Sequence, residues 1–558
     1  MILDMKKNRV FFILFTMGFV FAAFSQSSQS VSLDAGDDAE EEIALPDVST
    51  VISGGAPKAG KSAIGDYAEI FPSAETVEIV PRLPEPGKAE EASRETVALN
   101  KKTEKNLYVE GRAGLGFPAF FIGDFSIFRQ TGQNPFRINF GHESANRYAW
   151  NPFSAGYFDR NTYLDAEKIF STEKAKWVLK GGYDSVADGL QSKSDAISAV
   201  TKHELGVGVD FSIDFTKALS LSASVDGAWY NRYANRVGAS ELREFEEALS
   251  ILSLHPSVDF SWRPENFYLS IDADYQLEYD IGNALDERNA NRFAGGLTFG
   301  FKNDFLNVFA DADVVVGNRI GDNSVVVPFD VGADFHFTTG LSSRNMKISV
   351  LGGMDSSMQT ISNLEKEYTF SAISTISMET SDWFGKAHIY FPIKDIVSIS
   401  FNGEFRKTAF DNGTLFPHYE KMYVSNGQYV FLSNDMTQFN TDMAVQAKFG
   451  IASLAVFWSA KWVDVLPTKN PHEIGFSFTV QDKKSRVLFD TTFAVPLGKG
   501  IDATPIWDFE LSFKLSNAVR LAVNGTDVVK LVSAKSRVYA GEYIKRSGTV
   551  AALVKFFL

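Results

Sequence analysis

The chain has 558 residues, 45% of them apolar and 22% charged, with 49 Phe, 18 Tyr and 8 Trp but no Cys. A mean hydropathy of −0.08 excludes a polytopic helical membrane protein, which needs repeated apolar runs of about 20 residues. The lack of Cys excludes disulfide scaffolds, Cys-ligated zinc and thiol catalysis, and the net charge of −15 argues against nucleic acid as a partner.

Lys6, Lys7 and Arg9 precede an apolar run from Val10 to Phe24, followed by Ala23-Phe24-Ser25 with small residues where a signal peptidase reads. The run is short for a membrane span, so residues 1–25 are expected to be a secretory signal. Residues 26–105 carry 16 acidic and 8 basic residues, with acidic blocks at Asp37-Asp38 and Glu40-Glu41-Glu42 and a proline-rich stretch at Pro81–Gly87. Their apolar content is too low for burial to offset chain entropy, so a largely disordered periplasmic segment is expected, available to a periplasmic partner.

From Asn106 the hydropathy period becomes two. In 267–278, Phe267, Leu269, Ile271, Ala273, Tyr275 and Leu277 share one face, and Tyr268, Ser270, Asp272, Asp274, Gln276 and Glu278 the other. Residues 207–215, 326–337, 396–406, 443–449 and 507–516 alternate in the same way. Many of these runs exceed the usual sandwich strand of about 5–6 residues, as tilted membrane-crossing strands do. Connections alternate as well. Tight turns at 216–218, 264–266, 302–304, 394–395, 450–451, 482–485 and 517–518 separate longer links such as 145–159, 186–199, 233–247, 410–436 and 534–547. Short periplasmic turns and long extracellular loops define a transmembrane antiparallel β-barrel over 106–558.

The alternation also sets the strand number. A tight turn must follow an even-numbered strand, so the turn at Lys394-Asp395 requires 384–393 to be strand 14 and 357–382 to be one long extracellular loop. The total is then about 22 strands, within bounds of roughly 16–24. Trp229, Trp383, Trp462 and Trp507 fall near extracellular strand ends, and Trp177 and Trp262 near periplasmic ends, as interfacial girdles do.

The last strand ends on Leu553-Val554-Lys555-Phe556-Phe557-Leu558. Before it come Phe509–Leu515, a tight turn, Val519–Val532, and a loop with Tyr539, Gly541 and Tyr543 leading to Gly548. This ending and strand count resemble the barrel of TonB-dependent receptors. The resemblance implies an outer-membrane location, lipid contact, insertion by the barrel-assembly machinery, and transport. It also implies a globular plug ahead of the barrel, and here the sequence departs. Glu75–Val80 faintly resembles the TonB-contacting segment, but only 26 residues, Pro81 to Asn106, separate it from the first strand. They are too few for a plug, so energised uptake is not implied.

The seven His (142, 203, 255, 336, 388, 418 and 472) show no metal-ligand spacing, and no nucleophile or phosphate-loop motif occurs, so no catalytic, metal or cofactor residue is nominated. The candidate site is the inward face. Its acidic members are Asp210, Asp214, Asp272, Asp274, Glu278, Asp311, Asp313, Asp330, Asp334, Glu404, Asp442, Asp508 and Glu510; Arg406, Lys448 and Lys514 are its basic ones. Thirteen against three gives −10, a wall that favours cations. The expected function is a channel or transporter for polar solutes, cationic or neutral. The alternative is a non-conducting structural or interaction protein, adhesin-like or an envelope-assembly partner, whose lumen is occluded by the leader or by inward-folded loops.

Overall fold

A computed structural model describes residues 107–558, less short stretches within the connections such as 130–134, 237–245, 371–377 and 464–471. The expected signal and acidic segment, 1–25 and 26–105, lie outside the described residues. Twenty-two strands form the wall. They are β1 (Tyr108–Phe117), β2 (Phe120–Arg129), β3 (Phe136–Ala145), β4 (Asp159–Ser171), β5 (Ala175–Gly189), β6 (Ile197–Thr216), β7 (Leu219–Arg236) and β8 (Glu246–Trp262). There follow β9 (Phe267–Asp280), β10 (Asn289–Lys302), β11 (Leu306–Gly317), β12 (Phe329–Phe337), β13 (Met346–Gln359), β14 (Met378–Ile393) and β15 (Val397–Thr408). The rest are β16 (Thr437–Phe449), β17 (Ala452–Val463), β18 (His472–Gln481), β19 (Val487–Leu497), β20 (Ile506–Lys514), β21 (Val519–Thr526) and β22 (Thr549–Phe557). Two short helices, α1 (Ile361–Glu367) and α2 (Val528–Ser533), lie in connections.

Each strand pairs antiparallel with the next, and β22 closes on β1 in the register Glu110↔Phe557 to Phe117↔Val550. Closure leaves no edge, so neighbouring strands supply backbone partners all the way round, where no water reaches. At this seam Gly114 faces inward, and a Cβ there would collide with Leu553. Leu558 is tied to Val109 by backbone bonds of 2.7 and 3.0 Å.

The alternation read from the sequence becomes two solvents. Val225, Ile271, Leu297, Val331 and Val456 are exposed on the outer face, an apolar band suited to lipid. Trp229, Trp383 and Trp507 stand on that face toward the loop ends of their strands, and Trp177 and Trp262 toward the turn ends. Among the described residues no helix is long and apolar enough to cross a membrane.

One boundary differs from expectation. The 13–14 link is shorter than 357–382, because the ladder continues to Gln359↔Met378. Glu379, Thr380 and Ser381, consecutive at the start of β14, are all buried there. A strand buried on both faces no longer alternates between polar and apolar residues, so its period of two disappears.

Candidate functional site: the lumen and its lid

The acidic wall is built by register. Asp272 on β9 and Asp313 on β11 both pair across Gly296 of β10, whose missing side chain leaves room for their carboxylates; a Cβ there would collide with Asp313 Oδ1. One step along, Asp311 lies opposite Asp330 of β12 and accepts the Thr298 hydroxyl at 2.7 Å. Among the described residues, Asp272, Asp311 and Asp313 form no ion pair. Together they set three carboxyl groups close to one another on the β9–β11 wall. No group of three or more His, Asp or Glu among the described residues is placed to hold a metal ion.

The other candidate carboxylates are placed differently. Arg292 donates to both oxygens of Asp274 at 2.9 Å and to Glu379 at 3.1 Å. Asp210 pairs with Lys180, and Glu510 with Lys555. Glu404 meets Arg406 at 2.8 Å and Lys386 at 3.4 Å. Asp334 accepts the Asn307 amide at 3.0 Å, and Asp508 the backbone amide of Asp527 at 2.6 Å. Glu278 is buried on β9, Asp442 lies opposite Asn402, and Asp214 is exposed at the turn end of β6. Lys448 and Lys514 take inward positions near turn ends. Arg292, Lys180, Lys386 and Lys555 also occupy inward positions, which strand parity alone could have disclosed. They pair with several of these carboxylates, whereas Asp272, Asp311 and Asp313 on β9 and β11 have no ion-pair partner among the described residues.

A second feature had no sequence signal. The extracellular end of the β13–β14 hairpin leans over the lumen. Met354 packs on Ala294, Val315 and Val326 of the β10–β12 wall. Beyond it, Met358, Ile361 and Leu364 pack on Tyr230 of β7 and on Leu249 and Ile251 of β8. Glu365 of α1 is fully buried. It accepts hydrogen bonds from the Tyr230 hydroxyl and the Arg232 guanidinium, and its backbone oxygen accepts Lys202 Nζ at 2.6 Å. Lys366 reaches Glu204 at 2.8 Å. The segment thus bridges from β13–β14 to β6–β8, roofing part of the mouth.

Other connections join it. Phe370 stacks on Tyr543 of the β21–β22 connection with centroids 4.1 Å apart, and Tyr429 of the β15–β16 connection meets that ring edge-on at 5.6 Å. Gln191, between β5 and β6, exchanges two hydrogen bonds with the Ile544 backbone, at 2.8 and 3.0 Å. Four connections distant in sequence therefore meet in one cluster of Leu190, Ile197, Phe370, Tyr429 and Tyr543.

With wall and lid in place, the chain can be set beside solved structures. It superposes on the FrpB iron transporter from Neisseria meningitidis with a TM-score of 0.61 at 9% identity, covering 82% of each chain. The copper transporter OprC gives 0.61 at 10% identity, covering 81% of this chain and 80% of that one. A mutant of the ferric enterobactin receptor PfeA from Pseudomonas aeruginosa gives 0.59 at 8%, covering 82% and 81%. The fold is that of the TonB-dependent receptor barrel. As such a barrel, with its lipid-facing apolar band, the chain is an outer-membrane protein. At these identities the likeness is one of fold alone. No protein-family model and no curated protein matches the sequence.

Unlike the wall, the loops carry a titratable tie outside the membrane. Partial burial of Asp502, between β19 and β20, opposes its charge, but the Lys530 ammonium of α2 and the Thr504 hydroxyl and amide outweigh this. They hold its carboxyl down at about 2.

Proposed function

We propose that this barrel is an outer-membrane conduit for polar solutes that favours cations over anions, and that it is not an enzyme. The observation that carries the reading is the trio Asp272, Asp311 and Asp313, inward-facing carboxylates without an ion-pair partner among the described residues. Fixed charge of one sign on a low-dielectric wall focuses potential and concentrates the opposite ion. Solved barrels of the same fold include an iron and a copper transporter, which supports a transport role and a metal ion or metal chelate as one class of cargo. Insertion by the barrel-assembly machinery, and a periplasmic partner for residues 26–105, belong to the same proposal.

A second reading, a non-conducting interaction protein, is favoured by the lid alone. The two separate in proteoliposomes holding protein in which residues 361–377 are replaced by a short Gly-Ser linker. A conduit releases potassium faster than chloride, and D272N/D311N brings the two rates together. Absence of release from the lid-shortened protein would overturn the conduit.

A further inference from the structure

We propose that the β13–β14 lid is a gate latched by Glu365, and that freeing this one carboxylate from Arg232 and Tyr230 opens the lumen to the outside. The proposal rests on the conduit reading. Its first support is mechanical. The ladder of β13 and β14 continues to Gln359↔Met378, so α1 is carried at the end of a paired hairpin.

The second support is the chemistry of the seat. The apolar contact sets Met358, Ile361 and Leu364, with Tyr368 and Met378 at its edge, against Tyr230, Leu249, Ile251, Leu285 and Ala290. At its centre lies an ionic contact: fully buried Glu365 with Arg232 and Tyr230 at its carboxylate and Lys202 at its backbone oxygen. A permanent wall element is better held by apolar packing, since buried ion pairs add little net stability while losing one partner is severe. That asymmetry suits a latch. Closed, the Glu365 carboxylate offsets the Arg232 charge; without it the closed state holds the Arg232 and Lys202 cations buried, whereas the open state has them solvated. A cleft lined by Asp184, Asp188, Lys202, Glu204 and Lys366 runs beside α1, next to the latch.

The third support is backbone strain at the tip. Phe370 sits at φ 64°, the left-handed region that a bulky side chain rarely adopts. Its stack on Tyr543 and the Tyr429 amide bond to its carbonyl, 2.8 Å, hold it there. Strain of this kind persists only where surrounding contacts over-determine it, and it is released when they part.

The test is current through planar bilayers holding the full chain, with heat-modifiable migration confirming a folded barrel for each variant. The wild type is expected to be nearly silent, and E365A to pass at least about tenfold more current. The chain has no native Cys, so F370C/Y429C supplies an independent arm: the backbone bond between these residues places them within disulfide reach. Oxidised, this pair should stay closed; reduced, it should open, and reoxidation should close it again. If E365A and the reduced pair carry no more current than wild type while the lid-shortened protein conducts, the latch is overturned and the conduit stands. Wild-type current equal to that of the lid-shortened protein would overturn the gate in the same way. Silence from the lid-shortened protein would overturn gate and conduit together.

Discussion

Val225 and Asp226 are neighbours in sequence that face opposite solvents. Val225 lies on the outer face of β7, between the levels of Leu219, opposite Trp262, and of Trp229. An Arg in mid-bilayer on a lipid-facing strand costs about 2–4 kcal/mol, so V225R should reduce the heat-modifiable species in the outer membrane. D226N, on the lumen side, should leave it unchanged; equal loss in both would mean that the faces are exchanged. At the loops the decisive residue is Asp502. Its carboxyl is held at about 2, below its ordinary 3.8. A depressed carboxylate stabilises the fold above the unfolded value and loses that contribution as pH falls through the folded one. Protection of α2 from proteolysis should therefore be steady from neutral pH down to about 4 and decline toward pH 2. D502N should lack this step, and an equal decline in the variant would place the cause elsewhere.

Among the elements, the wall was readable because its strands separate two solvents. Phe267–Asp280 keeps its alternation throughout, and parity alone assigned Asp272 and Asp274 to the inward face. The count of 22 followed from the rule that tight turns close even strands. Legibility fails where a side chain's partner is remote in sequence. Glu510 meets Lys555 from the far side of the β21–β22 connection, and no local pattern announces such a pair. It fails again at the lid, since α1 has only seven residues, too few to display a helical period, and its seat is supplied by β6–β8. That seat is testable. Leu364→Ala removes a buried side chain at a cost of about 2–5 kcal/mol in typical cores. The cost should fall on lid docking alone, so protease added to intact cells should cut the 361–377 segment faster while barrel migration is unchanged. Loss of the folded barrel instead would make the lid part of the wall.

At the scale of the whole molecule, a closed 22-stranded barrel places the Asp272, Asp311 and Asp313 carboxyl groups on the β9–β11 wall and the end of the β13–β14 hairpin against β7 and β8. Solved barrels with this fold share its architecture at 8–10% identity, so selectivity must be argued from this chain's own charges. The reversal potential of the lid-shortened protein across a potassium chloride gradient tests that argument most directly. A potential on the cation-selective side is expected, shrinking toward zero near 1 M salt, where the Debye length falls to about 3 Å. An anion-selective potential, or a cation preference unaltered in D272N/D311N, would contradict it.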